Sequence, residues 1–374
     1  MLGQQSLVES VASYVYRRHP QAQKASGIMA KVENTAGKSD KNILVTGGAG
    51  YIGATVCSAL LDAGWRPIIL DNLSTGRRQF TEGRLFYEGD IADRGLIARI
   101  VKEQGPLFGA IHCAALIIVP ESVAKPEEYY RENVSKSVEL FVALRDQGCR
   151  RIVFSSSAAI YDGADGFMVT ETSSVRPFSP YARTKAMMEM VLQDFCATYD
   201  MRGIALRYFN PIGADPKLRT GPYVENPSHL LGRLIVAADQ DSEPFQVMGT
   251  DWPTRDGSGI RDFIHVWDLA RAHVNAITKF DGAFSKPGAN EGAPNYRVIN
   301  LGTGLGVTVK EFVAAFEKVN GSPVQKREAP RRPGDLAGCF ASAATAEALI
   351  DWKAELSVEQ GIRDALTWTR KFKG

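Results

Sequence analysis

Two side chains one helical turn apart could carry proton chemistry: Tyr181 and Lys185, in the run Tyr181-Ala182-Arg183-Thr184-Lys185. A spacing of four puts both on one face of a helix. Ser179-Pro180, just before them, reads as an N-cap followed by a proline at the first helical position. A free phenol titrates near ~10 and is a poor base at neutral pH. A nearby cation favours the phenolate and brings that value down. Alone, this spacing is common and usually marks a solvated helix face. Here Ser155-Ser156-Ser157 closes an apolar strand upstream, at a sheet edge where a hydroxyl can meet the same substrate oxygen. Asn133 and Asn210 add polar groups in otherwise apolar surroundings.

A second constellation lies far upstream, in Thr46-Gly47-Gly48-Ala49-Gly50-Tyr51-Ile52-Gly53. Gly47 permits a tight strand-to-helix turn, Gly50 lets backbone approach a pyrophosphate, and Gly53 allows close helix–sheet packing. The helix N-terminus then faces the phosphates. Asp71 ends the next apolar run, where a carboxylate can accept both ribose hydroxyls of NAD and repel the 2′-phosphate of NADP. The plainer reading of Asp71 is a solvated residue opening the loop Asp71-Asn72-Leu73. A tyrosine beside a cation, next to a nicotinamide, moves a proton and a hydride together. That is redox chemistry on an alcohol or ketone.

The elements that must position these groups follow from the apolar pattern. Ile43-Leu44-Val45 is a short continuous run, as in a strand buried on both faces. A helix through Val56, Leu60 and Leu61 stops at Gly64. Further strands are expected at Pro67–Asp71, Leu85–Ile91, Gly109–Ala115 and Arg151–Ser155, with a helix at Glu128–Gln147 carrying Val134, Val138 and Phe141 on one side. Alternating strand and helix imply an α/β, Rossmann-type doubly wound parallel sheet, with its ligand at the strands' carboxyl ends. Residues 1–40 read as an extension with one short helix around Leu7–Arg18, residues 41–210 as the dinucleotide-binding domain, and residues 211–374 as a smaller C-terminal α/β lobe with some segments returning to the main sheet. Residues 211–229 and Phe284–Asn295 are Gly/Pro/Asn-rich and read as loops. Val358, Ile362 and Leu366 share one face of a terminal helix.

Composition excludes more than it identifies. The chain has 374 residues, 44% hydrophobic and 23% charged, with net charge +2. That is ordinary globular composition, with no case from charge for a nucleic-acid or membrane partner. Cys57, Cys113, Cys149, Cys196 and Cys339 are odd in number, widely spaced and without a C-x-x-C pair. They point to a reducing, cytoplasmic setting rather than a disulfide framework or thiolate zinc site. The five histidines are scattered and no H-E-x-x-H occurs, so no metal site is expected. Arg17-Arg18 is not followed by an apolar run, and Glu9, Glu33 and Asp40 argue against a transit peptide.

From Ile43 to Lys373 the chain resembles the extended short-chain dehydrogenase/reductase family and, within it, the UDP-glucose 4-epimerases. The marks are TGGAGYIG at 46–53, LDNLSTGRR at 70–78, EGDIAD at 88–93, PESVAKPEEYYRENV at 120–134, FSSSAAIY at 154–161, SPYARTK at 179–185, RYFNPIGA at 207–214, DGSGIRDFIHVWDLARAH at 256–273, NLGTG at 300–304 and APRRPGDLAG at 329–338. The resemblance implies that Tyr181 is the base, that Lys185 is its partner and a nicotinamide-ribose ligand, and that Ser157 is the second hydroxyl on the reacting oxygen. It places Gly47, Gly50, Tyr51, Ile52, Gly53, Asp71, Asn72, Asp90, Ile91, Ala114, Asn133 and Tyr208 around NAD, with Asp90 and Ile91 flanking the adenine. It places Asn210, His229, Arg261, Arg332, Asp335 and Cys339 around a UDP-sugar, with Arg261 and Arg332 clamping the diphosphate. It further implies 4-epimerisation through a transient 4-keto sugar, and a homodimer through residues 128–147 and 180–198. Asp262 and Asp268 read instead as an ion-pair member and a helix cap, and Asn133 could be a structural amide.

The chain also departs from the family's pattern. Ile117 stands where many members carry Lys, so one expected cofactor contact is missing. Asp162 replaces the usual Gly, His229 a common Asn, and Gln246-Val247-Met248 a segment that often ends in Phe. Cys339 stands where a bulky Tyr accompanies restriction to glucose and galactose; a small residue leaves room for a 2-acetamido group. A 4,6-dehydratase is disfavoured, because Ser157-Ala158-Ala159 lacks the acidic pair such enzymes carry. UDP-pentose or UDP-uronate epimerisation stays open, and a non-catalytic NAD-binding sensor is disfavoured by the retained Tyr181 and Lys185.

Overall fold

Seven parallel strands form the main sheet, in the spatial order Tyr296–Leu301, Arg202–Tyr208, Arg151–Ser155, Gly109–His112, Asn42–Thr46, Arg66–Asp71, Leu85–Glu88. This computed structural model describes residues 41–223, 227–238, 243–286, 293–331 and 336–373. The extension 1–40, with the helix expected around Leu7–Arg18, lies outside the described residues. Residues 38–374 fall in one compact unit. Tyr296–Leu301 crosses back and pairs with Arg202–Tyr208, carrying the later half of the chain into the sheet.

Helices cover both faces. On one, Tyr51–Asp62, Val266–Thr278 and Ala344–Ile350 bury a cluster that includes Val45, Leu60, Ile111, Val153, Leu269 and Ile299. On the other, Arg94–Gln104, Lys136–Asp146 and Pro180–Thr198 pack on Leu44, Ile68, Ala110, Ile152 and Ala205. Alternate residues of each strand thus face opposite helical layers, which is why the strands read as unbroken apolar runs. The order reverses at the Asn42–Thr46 strand, flanked by Arg66–Asp71 and Gly109–His112. That reversal opens the crevice where open α/β sheets bind ligands.

The C-terminal lobe is built from short pieces. Val307–Thr308, Ile260–Arg261, Gly338–Ala341 and Met168–Val169 form a four-stranded sheet. Asn210–Ile212 pairs with Phe263–His265, and Phe245–Met248 with Lys326–Ala329. Phe312, Phe316, Leu234, Ile362 and Leu366 hold this lobe together. Thr308 and Glu311 form a reciprocal capping box that starts the helix Val309–Asn320.

Four expected elements differ. The third strand ends at Glu88 rather than Ile91, because the Asp90 carboxylate accepts the Ala92 N–H and turns the chain. The fourth ends at His112, and residues 113–118 follow without regular structure. The long helix spans Pro126–Asp146 but contains a π turn at Arg131–Ser135. The expected loop at Phe284 begins in helix, since Phe280–Ser285 is one; residues 287–292 lie outside the described set.

Candidate active site

The glycine turn has no room for larger residues. Gly47 has φ +69°, and a Cβ there would stand 2.7 Å from the Ala114 nitrogen. A Cβ on Gly53 would stand 2.2 Å from the Gly47 carbonyl oxygen. The two glycines let the turn fold tightly under the N-terminus of Tyr51–Asp62, leaving its first N–H groups for an anion. The Tyr51 hydroxyl donates to the Gly213 carbonyl at 2.6 Å, tying the turn to the segment after Asn210–Ile212, and Ile52 packs against the core.

Asp71 is buried, 7% exposed, which removes the solvated reading. Its carboxylate accepts the Ala49 N–H at 3.0 Å and the Leu73 N–H at 2.8 Å. Burial pushes its carboxyl up and these two N–H groups oppose the shift. Each oxygen keeps a second lone pair for a hydroxyl donor. Asn72 is exposed and its side chain turns back to the Ser74 N–H at 3.0 Å.

The helix carrying Tyr181 and Lys185 is Pro180–Thr198, and the Ser179 hydroxyl caps it by accepting the Ala182 N–H. Both side chains lie at its first turns, beside the end of the strand Arg151–Ser155. The Lys185 ammonium donates to the Ser155 carbonyl at 2.8 Å and lies 6.0 Å from the centre of the Tyr181 ring. Lys185 is 4% exposed; burial brings its pKa down to about 8, against the pull of Cys113 and Glu189. The expectation that Lys185 lowers the Tyr181 pKa is not met. Burial raises the phenol, and the Ser157 hydroxyl opposes the shift. The ammonium is held by a carbonyl rather than aimed at the phenol oxygen.

Of the three serines, Ser157 meets Tyr181 and accepts the Ala159 N–H at 3.1 Å. The other two are structural. Ser155 hydrogen-bonds His273 Nε2 at 3.0 Å and the Cys113 thiol at 3.2 Å. Ser156 donates to Glu189. Glu189, one turn beyond Lys185, forms a buried pair with Arg207 at 2.9 and 2.6 Å, and Arg207 reaches the Tyr161 hydroxyl at 2.9 Å. Tyr161 continues to Asn300 at 2.7 Å. Sequence reasoning missed this network; the signal available was Glu189 at i+4 from Lys185.

Asn133 sits in the π turn, 3% exposed. Its oxygen accepts the Leu116 N–H at 2.8 Å, and its amide donates to the Leu116 carbonyl at 2.9 Å and the Thr184 hydroxyl at 3.1 Å. These bonds lock the loop after Gly109–His112 to the helix of Tyr181. His112, between Thr46 at 2.7 Å and Ser137 at 2.9 Å, continues the same buried chain. Burial first, then Lys185, hold its pKa down to about 3, so it stays neutral.

The remaining expected residues are less tightly gathered. Asp90 pairs with Lys136 at 2.6 Å, and Ile91 is buried. Ala114 lies under Gly47. Tyr208 is half-buried, with its ring edge on His273. Asn210 donates to the Asp262 carbonyl at 3.3 Å. His229 caps the helix Leu230–Ala237, its Nδ1 accepting the Gly232 N–H at 3.1 Å. Arg261 donates to the carbonyls of Ile260 at 2.7 Å and Ala337 at 2.9 Å. Cys339 is half-buried and pairs with Arg261 in the strand register. Arg332 and Asp335 lie outside the described residues. Ile117 is 62% exposed.

Asp262 and Asp268 both differ from their expected roles. Asp262 makes no ion pair among the described residues; it accepts from Thr303 and from the Ala341 N–H, and burial raises its pKa to about 6. Asp268 pairs with Arg271 at 3.1 Å and accepts the Glu355 and Leu356 N–H groups, while His265 caps that helix. Among the described residues no cluster of His, Cys, Asp or Glu could hold a metal, and no helix is long and apolar enough to cross a membrane.

A doubly wound sheet with a glycine turn, a ribose-ready aspartate and a Tyr–Ser pair at the strands' ends defines a dinucleotide-dependent class. Residues 43–300 match the model of the NAD dependent epimerase/dehydratase family, and the chain belongs to that family. It is 40% identical over 336 residues to a UDP-glucose 4-epimerase of Bacillus subtilis, covering 87% of this chain and 96% of that one. The structure is similar to that of UDP-glucose 4-epimerase from Stenotrophomonas maltophila with bound NAD and formylated UDP-arabinopyranose, with TM-score 0.83, 37% identity and coverage of 89% and 99%. It is also similar to the UDP-Glc/GlcNAc 4-epimerase of Campylobacter jejuni, with TM-score 0.73, 32% identity and coverage of 88% and 99%.

Proposed function

We propose that this protein is an NAD-dependent 4-epimerase of UDP-hexoses, interconverting UDP-glucose and UDP-galactose, and also UDP-GlcNAc and UDP-GalNAc. The observation that carries this reading is Lys185, buried and locked on the Ser155 carbonyl one helical turn beyond Tyr181, on the same parallel sheet whose glycine turn leaves no space for a side chain at Gly47 or Gly53. The cradle fits NAD: a Cβ at Gly47 or Gly53 would collide with backbone, and Asp71 is buried with lone pairs left for ribose hydroxyls.

Ser157 and Tyr181 hold the sugar 4-hydroxyl between them, and Tyr181 takes its proton. NAD, held by the turn at Gly47 and Gly53 and by Asp71, would supply a reversible hydride acceptor for C4 and, in its oxidised form, a positive charge. Such a charge near the phenol would oppose the burial that raises the Tyr181 pKa here. Lys185, fixed on the Ser155 carbonyl, orients the ribose and adds positive potential. The 4-keto sugar then turns about its diphosphate and presents its other face. Tyr181 returns the proton to O4, and the stereocentre is inverted with no net redox change.

Arg261 and Arg332 anchor the diphosphate, Asn210 and His229 border it, and Asp335 orients the uridine side. Asp71 selects NAD over NADP. Cys339, small and half-buried, leaves space for an acetamido group beside the turning sugar; the Campylobacter relative is named for acting on both sugar types. A homodimer through residues 128–147 and 180–198 is supported by exposed Met187 and Met190 on the latter helix. A cytoplasmic setting is supported by five cysteines that are all free.

A panel of UDP-sugars read by NMR at C4 tests the reading. Inversion of UDP-galactose and UDP-GalNAc is expected. Inversion confined to UDP-pentoses or UDP-uronates would move the substrate class, and no turnover of any UDP-sugar would overturn the reading.

A further inference from the structure

The glycine turn is flanked by a second pair of residues, Arg77 and Tyr223. The phenol oxygen of Tyr223 would stand 3.9 Å from a Cβ on Gly50, at the mouth of the turn. Gly50 is the N-cap of the helix Tyr51–Asp62, so the phenol stands beside that helix's N-terminus. Its ring lies under the Arg77 guanidinium, 5.1 Å from the centroid, and Arg77 donates to the Tyr223 carbonyl at 3.3 Å. The Arg77 N–H bonds the Ala49 carbonyl at 2.9 Å, so the pair is fastened to the turn at both ends.

Tyr223 is also fixed from behind. Its ring meets Phe80 edge-on at 5.4 Å, and Phe80 packs on Trp368 at 5.9 Å. The Trp368 indole donates to the Pro222 carbonyl at 2.7 Å. The terminal helix Val358–Lys373 therefore braces a phenol against the helix N-terminus that a dinucleotide's pyrophosphate seeks. A phenol carries an O–H that can donate to an anion. Arg77 adds a positive charge at the same place.

We propose that Arg77 and Tyr223 form an outer wall of the dinucleotide seat and hold bound NAD in place through its pyrophosphate. The inference rests on the NAD reading of the glycine turn and adds two ligands that lie outside its motif. Tyr223 comes from the segment after residue 211, so the wall makes cofactor retention depend on the later half of the chain.

The test is NAD release from the full-length protein. Wild type, Tyr223→Phe, Tyr223→Ala and Arg77→Ala are loaded with NAD, desalted, and followed by capture of freed NAD with a coupled dehydrogenase. Hydrogen bonds to charged groups are strong enough that Tyr223→Ala should release NAD about tenfold faster or more. Tyr223→Phe keeps the packing on Phe80 and should still release faster, with UDP affinity unchanged in both. Release at the wild-type rate from Tyr223→Phe and Arg77→Ala overturns the proposal. Slower release would also overturn it, since the phenol would then be competing with the pyrophosphate. A wild-type protein that neither contains nor takes up NAD overturns both this proposal and the NAD reading beneath it.

Discussion

The two ends of the candidate cleft are built differently. The end with Tyr181, Lys185 and Ser157 rests on a seven-stranded parallel sheet. Its neighbours Asn133, Thr184, Ser155, Ser156, Glu189 and Arg207 are all buried and joined by hydrogen bonds. The end with Arg261 and Cys339 rests on strands of two to four residues, Ile260–Arg261 and Gly338–Ala341 among them. Interlocked polar groups fix rotamers, as a proton transfer requires. Short strands and loops leave the shape of the other end free to vary, and that is where specificity is set. In this reading the sheet end does the chemistry and the lobe end chooses the sugar.

The largest test of that contrast is Tyr181→Phe. Loss of the phenol should lower turnover by about 10²–10⁴-fold, the usual contribution of a general acid–base group, while NAD and UDP binding persist. More than a tenth of wild-type turnover would remove Tyr181 from the chemistry.

Glu189→Gln probes the support beneath it. Both partners of the Glu189–Arg207 pair are 8% exposed. Breaking a buried pair on one side costs about 3–5 kcal/mol, so the melting temperature should fall clearly. Glu189 also raises the Lys185 pKa, which stands at about 8. Without it Lys185 loses its proton at lower pH, and the alkaline limb of the pH–rate profile should move to the acid side. An unchanged melt and profile would show that the network does not set the catalytic end.

Asp71 makes a cofactor prediction. Protein denatured after purification should release NAD(H), because a buried carboxylate repels a 2′-phosphate and pairs with ribose hydroxyls. Recovery of mainly NADP(H) would show that Asp71 does not read the ribose. At the lobe end, Cys339→Tyr should suppress turnover of UDP-GalNAc and spare UDP-galactose, since a clashing wall costs about 1–3 kcal/mol. Equal loss on both sugars would contradict the assignment of specificity to this wall.

The sheet end was the more legible in sequence, for physical reasons. Buried parallel strands show as apolar runs, Ser179-Pro180 announces a helix start, and Gly47 and Gly53 mark places where backbone touches backbone. Partnerships across the fold left no such mark. The Arg207–Glu189 pair joins a strand to a helix, the π turn at Asn133 arises from contacts to Leu116 and Thr184, and Tyr223 reaches Gly50 only through tertiary packing. The direction of the Tyr181 shift is not legible in the spacing to Lys185, which says nothing of the Ser155 carbonyl that holds the ammonium.

The central claim is that the C4 hydrogen leaves as hydride and returns to the same sugar, while Tyr181 moves only the O4 proton. Conversion of UDP-galactose in D₂O, with no oxidant or reductant added, tests it directly. The account predicts UDP-glucose with no deuterium at C4 and no accumulation of free NADH. Deuterium at C4, or a stoichiometric keto sugar released with NADH, would contradict it.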